Sequence, residues 1–105
     1  MERPLVAPRP WLDDQAFAGF LPAHPYVRRY WTALIGPGAV ADLLRLTVAA
    51  VRGNELKRPV HLDVLAREGL VTSDDGAVLV RPTVPPISEA NRRRLPSALR
   101  SELGG

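Results

Sequence analysis

The sequence predicts a mostly helical α+β domain with one small β-hairpin, about five helices and a two- to three-stranded sheet. Three observations predict it. An apolar repeat at helical spacing runs from Val40 to Val51 and ends at Gly53. A shorter repeat, Leu62, Leu65 and Ala66 with Asp63, Arg67 and Glu68 between them, ends at Gly69. Then Leu70-Val71-Thr72 and Ala77-Val78-Leu79-Val80, both rich in strand-forming residues, flank Ser73-Asp74-Asp75-Gly76, whose Asp-Gly pair is a hairpin-turn signal.

Taken in order, residues 1–10 contain Pro4, Pro8 and Pro10 without periodicity and read as an extended proline-rich arm, followed by a single domain over residues 11–105. Asp13 or Asp14 can start a short helix with Ala16, Phe17, Phe20 and Leu21 as its stripe, before Pro22 interferes. His24-Pro25 is a helix cap with proline at the first helical position. Tyr26, Val27, Tyr30, Trp31, Leu34 and Ile35 continue that helix to Gly36. After Gly36-Pro37-Gly38 comes the long helix, with Val40, Leu43, Leu44, Thr47, Val48 and Val51 on its expected buried face. Glu55-Leu56-Lys57 is expected to pair briefly beside the hairpin, limited by Pro59. Pro82 cannot donate to a ladder, so the second hairpin strand is expected to fade there as an edge. Ser88 can cap a helix through Arg94, and Pro96 either kinks it or begins another, PSALRSEL, giving C-terminal helices over 88–103.

Composition narrows the class. The 105 residues contain no cysteine, which excludes disulfides and thiolate metal sites and suits a reducing cytoplasm. MERPLVAPRPW has no apolar run of signal-peptide length. No segment approaches the roughly 20 apolar residues a membrane span needs, so a cytoplasmic chain without a membrane partner is expected. The net charge of +3 favours polyanions, although an arginine-rich chain with one lysine, Lys57, and abundant alanine and proline is also what a bacterial high-GC coding bias produces. Residues 54–81 are not basic: Lys57, Arg58, Arg67 and Arg81 stand against Glu55, Asp63, Glu68, Asp74 and Asp75.

The succession of helices, a short extended piece, a helix and a hairpin resembles a winged-helix domain over about residues 39–84. LAREGLV followed by DGAVLV is similar to the end of the recognition helix and the wing of many bacterial regulators. One departure stands out: a single short helix lies between Gly53 and Gly69, where a winged helix usually has two joined by a tight turn. Either the Ala39–Arg52 helix supplies the missing partner or the fold is a variant.

Catalytic chemistry has little to stand on. His24 is a cap, and His61 with Asp63 at i, i+2 does not share a helix face. No phosphate loop, Ser-His-Asp order or metal-ligand cluster is present, so no enzyme and no cofactor are expected. Asp74-Asp75-Gly76 lacks the further ligands of a calcium loop and reads as a turn. In Arg28-Arg29-Tyr30-Trp31 the aromatics fall on the apolar stripe, which favours packing over base stacking and leaves both arginines solvated or phosphate-facing.

Two readings remain. In the first, the resemblance implies a transcription-associated module that binds double-stranded DNA. Lys57, Arg58, His61 and Arg67 then surround the recognition helix, and Arg92, Arg93 and Arg94 hold phosphates. In the second, the same fold is a protein-interaction or homodimerisation module that uses the Val78–Val80 edge or the proline-rich arm.

Overall fold

A computed structural model describes residues 4–12 and 19–104. It is an α+β fold. The described elements are β1 (Leu5–Val6), β2 (Pro8–Pro10), a π-helical stretch Val27–Trp31 running into α1 (Thr32–Ile35), α2 (Pro37–Arg52), β3 (Leu56–Lys57), α3 (Leu62–Arg67), β4 (Val71–Asp74), β5 (Ala77–Val80), α4 (Glu89–Arg92) and α5 (Ser97–Glu102). Among them no helix is long and apolar enough to cross a membrane. The helix expected to begin at Asp13 or Asp14 falls mostly on residues outside those described.

The hairpin forms as its residues dictate. Asp75 and Gly76 lie at φ 49° and 84°, the two positive values of a type I′ turn, whose twist matches the strands it joins. Antiparallel pairing sets Val71 opposite Val80 and Asp74 opposite Ala77. Val71, Val78 and Val80 are buried in the core with Leu43, Leu46, Leu65 and Leu70.

The arm supplies what the sequence does not announce. β2 pairs in parallel with β5, Pro8 opposite Val78 and Pro10 opposite Val80, giving the order β2-β5-β4. Val78 N–H donates to the Ala7 carbonyl (3.3 Å) and Trp11 N–H to the Val80 carbonyl (2.8 Å). Residues 7, 9 and 11 therefore turn their peptide groups toward β5. Pro8 and Pro10, alternating with them, fall where no donor is needed. β5 is thus the central strand and not the expected edge. β3 pairs with β1 of the arm, Leu5 opposite Lys57, instead of with the hairpin, so the arm supplies strands to two separate sheets.

α2 begins with Pro37 in its first turn, two residues before the expected Ala39, and ends at Gly53, φ 70°, as expected. Its buried face is rotated from the expected one. Ala39, Val40, Asp42, Leu43, Leu46, Ala49 and Ala50 face inward, while Val48 and Val51 are 48% and 78% exposed. Small alanines let β2 lie close along this helix, so the inward face follows fit as well as hydrophobicity. Thr47 donates its hydroxyl to the Leu43 carbonyl (2.9 Å) within the helix.

Aromatic residues tie the N-terminal half to the segment after the hairpin. His24 Nδ1 accepts from Tyr26 N–H (3.0 Å), the expected cap. Phe20 and Val84 exchange backbone hydrogen bonds of 2.8 and 2.7 Å, and Gly19 passes so close that a Cβ there would lie 2.2 Å from the Val84 carbonyl oxygen. Phe20 stacks on Tyr26 with ring centroids 4.1 Å apart, and Tyr26 Oη accepts from Ile87 N–H (2.9 Å). Trp31, 2% exposed, donates Nε1–H to the Pro85 carbonyl (2.9 Å), satisfying its one polar group inside the core. Packing is therefore the role of Trp31.

The C-terminal pair resolves into two helices. Ser88 Oγ accepts from Asn91 N–H to cap α4, and Pro96 precedes a separate α5. α5 is fastened to the π-helical stretch through Glu102, whose carboxylate accepts from Arg29 Nε (2.6 Å) and Nη2 and from Tyr30 Oη (3.1 Å). Arg29 holds the Glu102 carboxyl below its usual range, with Tyr30 adding to the effect.

A folded-state pKa below the unfolded value makes the Glu102 latch a contribution present above the ordinary carboxylate range of about 4.3 and lost as pH falls through the lower folded value. Amide exchange of α5 should accelerate in that acid window while the core stays protected, and Glu102→Gln should reproduce the acceleration at neutral pH; α5 protection identical in both proteins would refute the latch. Deleting residues 1–10 should lower Tm by about 5 °C or more and, by opening the Val78–Val80 edge, promote self-association in light scattering. An unchanged Tm would show the arm to be dispensable.

Candidate functional site

The site begins with a carboxylate on the inward face of α2. Asp42 is 2% exposed, and its Oδ2 accepts the backbone N–H of His61 (3.1 Å). Its Oδ1 accepts from Arg45 Nη2, one helical turn along. His61 is the N-cap residue of α3 and its own side chain caps nothing, so Asp42 takes over part of that role from a neighbouring helix. The carboxylate fixes the start of α3 against α2. Gly38 completes the join: a Cβ there would stand 2.6 Å from His61 Nε2, so the imidazole rests over a residue without a side chain.

Between α2 and the β3–α3 connection lies a cleft of about 480 Å³. Arg45, Lys57, Arg58 and His61 surround it, and Leu56, Pro59 and Val60 give it apolar walls. Arg58 Nη2 also donates to Asp63 (3.1 Å) across an exposed contact, and its backbone N–H donates to the Pro4 carbonyl (2.8 Å). Lys57 enters no ion pair among the described residues.

The predicted residues thus fall into two groups. Lys57, Arg58 and His61 come together at the N-terminal end of α3. Arg67 is exposed in the last turn, outside the cleft, on a six-residue helix about 9 Å long. There it meets the second group. Arg94 Nη1 donates to Glu68 (2.8 Å), just past α3, and to Asn91 Oδ1 (2.7 Å), which anchors α4 beside the C-terminal end of α3. Glu68 is nearly buried, so Arg94 is a structural tie as much as a surface cation. Arg92 and Arg93 border a second cleft, also about 480 Å³, together with Arg100, Ser97 and Ser101. Arg93 stands 4.0 Å from Glu89, an exposed i, i+4 contact worth little.

Arg45 and Asp42 are not apparent as site residues in the sequence. The available signal was a carboxylate set between Val40, Leu43 and Leu46 on an apolar helical face, where burial without a partner is costly. Arg29, expected to be solvated or phosphate-facing, is exposed and pairs with Glu102. The Val78–Val80 edge offered by the interaction reading is occupied by β2. Among the described residues, no three His, Asp or Glu side chains converge as a metal site would require.

Comparison of the chain with protein-family models, with curated proteins and with solved structures finds no match.

Replacing Asp42 with alanine should leave the His61 N–H without its acceptor and cost about 1–3 kcal/mol in urea unfolding. Asparagine, which can still accept from that N–H, should cost less. Equal stability of wild type and Asp42→Ala would show that the contact does not organise the α2–α3 join.

Proposed function

We propose that this domain is a small nucleic-acid-binding module, transcription-associated and cytoplasmic, built on a winged-helix-like plan. The observation that carries the reading is the placing of cations at both ends of α3. Lys57 and Arg58 stand at its start beside His61, and Arg67 at its end, where Arg94 ties on α4, whose Arg92 and Arg93 line the neighbouring cleft. A short helix flanked in this way suits a groove-facing element whose neighbours hold phosphates, with double-stranded DNA as the first ligand to test. The order α2, β3, α3, hairpin supports the plan. The parallel arm strand on β5 is an addition to it. Asp74 and Asp75 at the hairpin tip repel a phosphate backbone, so contacts belong to α3 and α4 and not to the tip.

Fluorescence anisotropy of a mixed-sequence duplex and a single strand across a salt series tests this. Affinity should fall steeply with salt, and Arg92→Glu/Arg93→Glu should weaken binding to all sequences alike, lowering the log–log salt slope by about 1 for each phosphate that the variant ceases to neutralise. Absent or salt-insensitive binding would overturn the reading. It would turn attention to a protein-interaction module, for which the exposed Val48 and Val51 of α2 offer a surface.

A further inference from the structure

We infer that the cleft between α2 and the β3–α3 connection is a receptor for a phosphate monoester on a nucleotide, recognised by its phosphate and not by its base. The inference rests on the nucleic-acid reading and names the chemistry of one of its contacts. A duplex backbone presents a row of phosphodiesters along a rod, each with a single charge and none of them an end. This cleft is concave, and its volume of about 480 Å³ lies in the range of small-molecule pockets. What enters it is an end or a free nucleotide.

The lining says which part of that ligand is held. A phosphate monoester carries a charge of about −1.5 to −2 near neutral pH, more than one cation can balance. Arg45, Lys57 and Arg58 converge here from α2, β3 and the following loop, with His61 as a fourth donor or acceptor. Arg45 is pre-set by Asp42: one Nη is committed to the carboxylate, while the remaining guanidinium N–H groups are left to serve two oxygens of one phosphate. Arg58 meets Asp63 only in an exposed contact, which a phosphate can displace. Lys57 adds a mobile point charge.

The rest of the lining gives no means of reading a base. Leu56, Pro59, Val60 and Ala41 offer apolar contact to a sugar, and no described tyrosine, tryptophan or phenylalanine lines the cleft for stacking. Phosphate dependence with indifference to the base is the signature expected. Asp42, also in the lining, serves as a positioning residue: its carboxylate is taken up by Arg45 and the His61 N–H, and it offsets one of the three positive charges, leaving a net charge that still suits a phosphate monoester.

The test uses the full chain and 3′-labelled single-stranded oligonucleotides, identical except for a 5′-phosphate or a 5′-hydroxyl, followed by anisotropy. A mononucleotide titration followed by amide chemical shifts runs beside it. The phosphorylated strand should bind about tenfold or more tightly, with the preference equal across terminal bases. Lys57→Ala and Arg45→Lys should each erase most of the preference for the phosphorylated strand, with hydroxyl-ended binding weakened by no more than the loss of one phosphate contact; Lys57 is exposed, so its variant guards against a folding defect at Arg45. Equal, salt-steep binding of both strands would overturn this inference and leave the nucleic-acid reading intact. Failure of both strands to bind, with mononucleotide shifts at Gly38 and His61, would support the receptor, identify a free nucleotide as its source and overturn the nucleic-acid reading. Failure of strands and mononucleotide alike would overturn both.

Discussion

The buried carboxylate of Asp42 is the constraint on which the α2–α3 half of the molecule depends. Taking an anion out of water is costly, and the cost is offset only where hydrogen bonds replace the lost hydration. Asp42 obtains one from the His61 backbone and one from Arg45. Because a backbone N–H is one of the two, the loop before α3 has little freedom to slide, and that fixes where Leu62 and Leu65 enter the core. The same contact brings the imidazole of His61 over Gly38 and keeps Arg45 at the cleft. Core packing and the shape of the candidate site are therefore set by one side chain.

The other half rests on the arm. A two-stranded hairpin is marginal alone, and β5 gains a second partner from β2 as well as cover from α2. Proline at alternate positions makes this a one-sided strand: the peptide groups of residues 7, 9 and 11 serve β5, while Pro8 and Pro10 present no donor on the opposite side. Such an edge cannot readily recruit another strand. The segment that extends the sheet also closes it.

How much of this is legible in the sequence depends on whether the signal is local. The end of α2 at Gly53, the Asp75-Gly76 turn, the His24 and Ser88 caps and the stop of α3 before Gly69 all follow from backbone preferences within a few residues, and they stand where the sequence puts them. The partners of β1, β2 and β3 do not, because prolines mark where a donor is missing without saying which side of a strand lacks it. The buried face of α2 escapes the sequence for a related reason. Ranking by side-chain size points to Val48 and Val51, whereas the arm needs the alanine side for close approach. In the site, Lys57, Arg58 and His61 can be grouped from their nearness in sequence. Arg45 cannot, since only the fold of α2 against the β3–α3 loop brings it to them.

The cations differ in how freely they can meet an anion. Arg58–Asp63 and Arg93–Glu89 are exposed pairs, of a kind typically worth about 0–1 kcal/mol, so a phosphate displaces the carboxylate at small cost. Arg94 is another matter: its partner Glu68 is nearly buried, and drawing Arg94 away would leave that carboxylate poorly paired and loosen α4 from α3. Lys57, Arg67 and Arg92 enter no ion pair among the described residues and have nothing to exchange. On the proposed nucleic-acid reading, these three and the exchangeable Arg58 and Arg93 are the cations free to meet a polyanion, while Arg94 is committed to joining α4 to the end of α3. The densest run in the sequence, Arg92-Arg93-Arg94, is therefore not uniform: Arg94 is a structural tie, and its two neighbours are not bound to a buried partner.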